Sequence, residues 1–312
     1  MNQLVAIVGP TGVGKSQLAL HLAQAFSGEI VSADSRQVYR YMDIGTAKPT
    51  PRVLALVRHH LIDIVSPDED FNLSEYQNLA YTAIENIQRR DKLPLLVGGS
   101  GLYVWSILEG WRIPEVPPDL KFRQILERVV TEAGKDKLYQ ELVKVDPVAA
   151  QKIDPRNVRR TIRALEVYKA IKTPCSQLQY KRAPLFDILI VGLTTDRAEL
   201  YRRIDLRVDE MIKQGLINEV ERLVGMGYDF ALPAMSGIGY KQIGMFLRSE
   251  ITLEAAIQQI KFGTHRFVRH QYAWFRLKDA RIHWFDVQAR TEPEIMVLLS
   301  KFVTDKKRKV AR

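Results

Sequence analysis

Gln3-Leu4-Val5-Ala6-Ile7-Val8 runs straight into Gly9-Pro10-Thr11-Gly12-Val13-Gly14-Lys15-Ser16, and helical spacing continues to Phe26. The octapeptide has the form G-x-x-x-x-G-K-S between an apolar strand and a helix, the context that a P-loop requires. Glycines let successive N–H groups turn toward phosphate oxygens, and the helix that follows adds its positive end. Lys15 supplies a point charge, and the Ser16 hydroxyl suits Mg²⁺. Gly9, Pro10, Thr11, Gly12, Val13, Gly14, Lys15 and Ser16 are therefore expected to bind a phosphate or diphosphate.

Working outward, Glu29–Ala33, Leu61–Val65 and Pro94–Val97 read as strands, and Leu73–Arg90 as a helix with Leu79, Ala80, Ala83, Ile84 and Ile87 on its apolar face. Alternating strands and helices predict an α/β fold with a mainly parallel sheet covered by helices. The texture changes after Trp111, where Ile113-Pro114-Glu115-Val116-Pro117-Pro118 forms a stiff linker. Asp119–Lys172 reads as helices only, broken near Gly134, Pro147 and Pro155. Strand pattern returns at Phe186–Leu193, then a helix over Asp196–Gln214, opened by Asp196 and Glu199 at capping-box spacing. Helical stretches reach Phe275, a strand covers Ile282–Phe285, and a helix covers Glu292–Val303. The expected organisation is a P-loop core, 1–112 and 186–312, carrying an all-helical insertion domain, 113–185.

The 312 residues carry a net charge of +10 and a pI near 9.6. Pro155–Arg182 holds eight Lys or Arg against one acid, and Lys261–Arg312 thirteen against five. Concentrated positive charge suits a polyanion. Arg156, Arg159, Arg160 and Arg163 share one arc of a helix, with Val158, Ile162 and Leu165 opposite. Guanidinium forks fit phosphate oxygens and stack on unpaired bases. Arg266, Arg269, His270 and Arg276 interleave with Phe267, Tyr272, Trp274 and Phe275, a pattern shared by nucleic-acid surfaces and by helix cores. No run of eighteen apolar residues and no signal peptide pattern is present, so no membrane anchor is expected. The lone Cys175 reads as a loop bystander and suits a reducing cytoplasm.

Asp34 follows the strand Glu29–Ala33, where chemistry collects in parallel sheets. A carboxylate there either accepts a proton or forms a turn. No carboxylate follows Leu93–Val97; Gly98-Gly99-Ser100-Gly101 stands there instead. That argues against nucleotide hydrolysis, which uses an Asp on Mg²⁺ at that place. A P-loop small-molecule kinase using ATP is the alternative. Arg203 and Arg207, one turn apart, either help hold phosphate charge or form an ordinary surface.

The chain resembles the tRNA dimethylallyltransferase family, of the bacterial type. The resemblance rests on the P-loop, Ser32-Ala33-Asp34-Ser35-Arg36-Gln37-Val38-Tyr39, Met42–Pro49, His59–Asp63, Gly98–Tyr103, Arg163–Tyr168, Ile238–Gln242 and Trp274-Phe275-Arg276. It implies dimethylallyl diphosphate as donor, Mg²⁺ as cofactor and the tRNA anticodon stem-loop as partner, with adenosine 37 flipped into a tunnel. Asp34 matches the general base, Thr11 a residue near the reacting centre, and Lys15 the group that neutralises the leaving charge, with Arg203 beside it. Asp34, Ser35, Arg36, Gln37, Ser100, Arg123, Arg159, Arg160, Thr161, Ile162, Arg163, Ser236, Gly237, Ile238, Gly239, Tyr240 and Lys241 match positions facing the tRNA. Thr264-His265-Arg266-Phe267-Val268-Arg269-His270-Gln271 departs from the family pattern while keeping its basic character. A monomeric cytoplasmic enzyme is expected.

Overall fold

The computed structural model describes residues 2–178, 185–287 and 291–310, with side chains to residue 304. It divides into two compact units, residues 1–108 with 185–312, and residues 109–184.

In the first unit, β1 (Gln3–Val8) is buried along its whole length, as a strand covered on both faces must be. Helix α1 (Lys15–Ala25) packs Leu18, Ala19, Leu22 and Ala23 inward. β2 (Gly28–Ala33), α2 (Pro51–Leu56), β3 (His59–His60), α3 (Leu73–Arg89), β4 (Leu93–Gly98) and α4 (Gly101–Leu108) follow. Asn72 and Glu75 form a reciprocal capping box that starts α3.

The second unit contains α5 (Leu120–Val145), α6 (Pro147–Lys152), α7 (Val158–Ile171) and α8 (Cys175–Leu178). Gly134 interrupts α5 with a φ of 83°, open to a residue without Cβ. Leu126, Leu138, Leu142, Ile162, Leu165 and Val167 make its core. Buried Glu166 ties α5 to α7: Arg123 donates to both of its oxygens at 2.7 and 2.9 Å, Arg163 donates at 2.5 Å, and the Asp119 N–H donates at 2.8 Å. These partners hold the Glu166 carboxyl at about 2 against the cost of burial.

The first unit resumes with β5 (Asp187–Thr194), α9 (Arg197–Lys213), α10 (Leu216–Gly225), α11 (Tyr240–Leu247), α12 (Leu253–Trp274), β6 (Ile282–Asp286) and α13 (Thr291–Val310). Six strands form one sheet in the order β3-β2-β4-β1-β5-β6, every pair parallel. An α/β fold with helices around a parallel sheet is what the sequence pattern led one to expect.

Four local expectations fail. Leu61–Val65 is not a strand: Leu61 and Asp63 have φ of 65° and 56°, and only Val65 bridges to Tyr39. Periodicity was read where the backbone turns. Asp196 caps α9 through the Ala198 and Glu199 N–H groups, but the Glu199 carboxylate goes to Arg202 and Arg203, so the box is not closed. Leu79 is exposed on α3. Cys175 is a buried core residue of α8.

Candidate active site

The C-terminal ends of β1, β4 and β2 lie side by side, so the P-loop, Gly99 and Asp34 face one crevice. Gly9, Gly12 and Gly14 have φ of 138°, 81° and 103°, which only glycine adopts without strain. The N-terminus of α1 has no side-chain cap, so its first N–H groups are open to an anion. Lys15 donates to the Pro10 carbonyl at 2.8 Å. Loss of hydration pushes the Lys15 amine down to about 8, Asp34 pulls it up and Arg207 pushes it down again. Burial likewise lowers Arg207 while Asp34 raises it. Two cations and one carboxylate thus feel each other across a partly desolvated crevice.

Gly98 and Gly99 have a steric reason. A Cβ at Gly98 would overlap the Ala33 carbonyl of β2, and one at Gly99 would overlap the Gln271 amide. A carboxylate does not fit at this strand end. Gln271 itself is buried and bridges the crevice: it accepts from the Thr11 N–H at 2.8 Å and donates to the Gly99 carbonyl at 3.1 Å.

Two cavities meet over Asp34. One, of about 350 Å³, is polar and is lined by Gly12, Gly14, Lys15, Ser16, Arg203 and Arg207. The other, of about 290 Å³, is lined by Ile204, Val208, Met211, Ile238, Ile260 and Thr264, with Ser35, Arg36 and Ser100 at its polar side. Thr11, Asp34, Thr46, Arg207 and Phe267 line both. Asp34 accepts from the Arg36 N–H at 2.8 Å, and Ser100 Oγ accepts from the Ser35 N–H at 3.0 Å, so the 34–36 turn is held in place. The turn and base readings of Asp34 are therefore compatible.

Most of the residues singled out in the first unit come together. Ser236, Gly237, Ile238 and Gly239 line the less polar cavity, and the Arg36 guanidinium donates to the Pro233 carbonyl at 2.8 Å. Lys241 is exposed. Tyr240 is not at the surface: it is buried, and its hydroxyl donates to Glu219 at 2.6 Å. Burial and Glu219 raise its pKa far above the usual value. The Gln37 amide turns inward, accepting from Ser32 Oγ and donating to the Thr46 and Ala47 carbonyls. Arg203 lines the polar cavity while donating to Glu199 at 2.7 Å.

In the second unit, Arg159 and Arg160 are exposed. Thr161 and Ile162 are buried, so their side chains do not form a surface. Arg163 and Arg123 are committed to Glu166. Arg156 precedes the helix, whose cap is Asn157, and pairs with Asp154. The arginine arc read from sequence thus reduces to Arg159 and Arg160, because Arg156 lies before the helix and pairs with Asp154, and Arg163 pairs with Glu166.

Thr46, Phe267 and Gln271 are not picked out as site residues by the sequence, and Arg207 is left open there between phosphate contact and ordinary surface. Arg207 had a signal, its one-turn spacing from Arg203. Gln271 ends the segment that departs from the family pattern, and its role depends on α12 reaching the end of β4.

For a metal, the cavity at the loop offers the Ser16 and Thr11 hydroxyls and the single Asp34 carboxylate, and the described residues contain no group of three His, Cys, Asp or Glu. That set fits a hard cation that keeps waters and arrives on phosphate oxygens.

Strand order, loop and crevice define a P-loop α/β protein with a polar cavity at the loop opening onto a second, less polar chamber. The sequence pattern of the IPP transferase family matches residues 37–278. A tRNA dimethylallyltransferase of Roseiflexus castenholzii is 53% identical over 276 residues, 88% of this chain and 90% of that protein. Its counterpart in Dehalococcoides mccartyi is 47% identical over 97% of this chain and 93% of its own. The solved tRNA isopentenylpyrophosphate transferase of Bacillus halodurans superposes with a TM-score of 0.74 at 39% identity, covering all of both chains. A eukaryotic dimethylallyltransferase acting on tRNA gives 0.82 at 28% identity, over 98% of this chain and 80% of that one. The chain belongs to the IPP transferase family.

Proposed function

We propose that the protein transfers a dimethylallyl group from dimethylallyl diphosphate to the exocyclic amino nitrogen of adenosine 37 in tRNA, releasing diphosphate. Its family membership makes it an enzyme that transfers a dimethylallyl group to tRNA; the donor, the acceptor atom and the residue roles are our reading. One observation carries them: a polar cavity over the P-loop joins a less polar one at Asp34.

The diphosphate lies on the Gly9–Ser16 loop and the open end of α1, with Lys15, Arg207 and Arg203 against its charge. The allylic chain extends toward Asp34 and Thr11. The adenine enters from the chamber lined by Ser35, Arg36, Ser100 and Ser236–Gly239, unstacked as base-modifying enzymes require. Asp34 accepts a proton from the amino group as its nitrogen bonds to the allylic carbon, and the carbon–oxygen bond breaks with its electron pair on diphosphate. Enclosure by Phe267, Thr46 and Gln271 keeps water from the same carbon. Ser16 would hold a Mg²⁺ carried on the diphosphate, which adds charge neutralisation when bound. Arg159 and Arg160, and Arg123 and Arg163 through the fold they support, belong to the unit proposed to contact the anticodon stem-loop. A kinase acting on a small molecule leaves the exposed arginines without a role, and Gly98 leaves no room for the metal-binding Asp of nucleotide hydrolysis. We place the enzyme in the cytoplasm, acting as a monomer; among the described residues no helix is long and apolar enough to cross a membrane.

Incubation with dimethylallyl diphosphate, Mg²⁺ and unmodified tRNA should add the mass of one prenyl group to adenosine. Asp34→Asn should cut turnover by roughly 100-fold or more while tRNA binding persists. Near-normal turnover of that variant would remove Asp34 from its role. Phosphorylation of a metabolite with ATP, and no prenylated tRNA, would overturn the whole reading.

A further inference from the structure

We propose that Glu219, which lines neither cavity, is a positioning residue for the transfer and acts through the strap Asp43–Thr46. The inference rests on the function proposed above. Glu219 stands in the first turn of α10 and is 5% exposed. Its Oε2 accepts from the Asp43 and Ile44 N–H groups at 2.9 and 2.8 Å. Its Oε1 accepts from the Gly45 N–H at 3.1 Å and from the Tyr240 hydroxyl at 2.6 Å. One buried carboxylate therefore satisfies three consecutive backbone donors and a phenol.

Both groups of donors belong to walls of the reaction cavity. Gly45 and Thr46 line the less polar chamber, and Thr46 also lines the phosphate cavity. Tyr240 directly follows Ser236–Gly239, which line the chamber from another direction. Gly45 packs so closely on the Tyr240 ring that a Cβ there would overlap it. On the far side of the strap, the Gln37 amide donates to the Thr46 and Ala47 carbonyls, each at 3.3 Å. Lys48 Nζ, 4% exposed at its side chain, ties back to Asp43 at 2.8 Å. Thr46 is thus placed from one side by Gln37 and from the other by Glu219.

The carboxylate fixes two walls relative to each other. Backbone N–H groups released from it would be buried without a partner, and the strap would re-seat to find one. Displacing a cavity wall by about 1 Å is enough to lower rates by roughly 100-fold without touching the reacting atoms. A side chain with only a stabilising role would lower the melting temperature and leave turnover of the folded enzyme alone.

The test compares wild type, Glu219→Gln, Glu219→Asp and Tyr240→Phe as folded proteins, with kcat and both KM values measured below each melting temperature. Glu219→Gln should lower kcat roughly 30- to 100-fold, with the KM for tRNA within about threefold of wild type. Tyr240→Phe keeps the ring on Gly45 and the three N–H bonds, so it should lose roughly 3- to 10-fold in kcat. Glu219→Asp should fall between Glu219→Gln and wild type, a partial rescue by a shorter carboxylate. The proposal is overturned if kcat of Glu219→Gln stays within twofold of wild type while only its melting temperature moves. If that variant does not fold, wild-type kcat in Tyr240→Phe overturns it and the expected loss supports it. A wild-type enzyme that prenylates no tRNA would instead defeat the functional reading on which the proposal rests.

Discussion

Two clusters in this molecule use the same residue types in opposite ways. In the insertion, Glu166 takes Arg123 and Arg163 directly, and its carboxyl is held at about 2. In the crevice, Lys15 and Arg207 share one carboxylate, Asp34, at a cavity, and both cations are pushed below their usual values by lost hydration. The first cluster spends its charges on the fold. The second keeps them under-neutralised, as the proposed diphosphate site requires.

Truncating the crevice cation is the largest expected effect. Arg207→Ala should lower kcat/KM for the donor by roughly 100- to 1,000-fold. Its melting temperature should stay level or rise slightly, because a desolvated charge is removed. A clear drop in melting temperature with little kinetic loss would put Arg207 in the same class as Arg163.

Glu166→Gln should do the reverse. It leaves two guanidiniums without their anion and should cost about 2 kcal/mol on denaturant unfolding. The figure lies below that for a fully buried pair because the two arginine side chains are 33% and 37% exposed. The Glu166 pKa is lowered from 4.5, so its contribution is full above that pH and fades as pH falls toward 2. Wild type and Glu166→Gln should converge in stability at the acid end; a constant difference from pH 6 to pH 2.5 would contradict the assignment.

A smaller effect separates the exposed arginines from the committed ones. Arg160→Ala should weaken tRNA binding a few-fold and reduce the salt slope by about 1, with no change in melting temperature. Arg163→Ala should lose stability as well. Equal salt slopes for wild type and Arg160→Ala would remove α7 from the RNA surface.

The smallest effect is in pH. Lys15 has a folded pKa of about 8 against 10.5 for a free lysine. Its charge is carried at a cost below pH 8, and the folded state gains relative stability as pH rises from 8 toward 10.5. The attraction for an anion runs the other way. Binding of inorganic diphosphate should therefore weaken a few-fold between pH 7 and pH 9, and Lys15→Ala should flatten that dependence. A profile unchanged by the substitution would place the titrating group elsewhere.

These contrasts mark how far the sequence could be read. The P-loop, Asp34 and the alternation of strands and helices are local patterns, and each lies where periodicity placed it. The arginine arc was legible as a charged face but not as two free and two committed positions. Arg156 goes to Asp154, and Arg163 goes to Glu166, which is buried only once α5 packs on α7. Leu61–Val65 failed because a short apolar run has the same hydropathy whether or not its φ angles are positive. Thr161, Ile162 and Tyr240 matched family positions but are buried, since a motif match carries no information about which side of an element faces inward.

The sequence by itself determined the P-loop pattern, the parallel α/β class and the family. Those follow from spacing of neighbouring residues, which the chain carries in any conformation. Only the tertiary structure decided that Gln271 bridges Thr11 and Gly99, that Gly98 has no room for a side chain, and that Arg207 faces Asp34. Each of these joins residues from distant parts of the chain, and their charges, bonds and clashes come into being only when the sheet order brings strand ends and helices to one crevice.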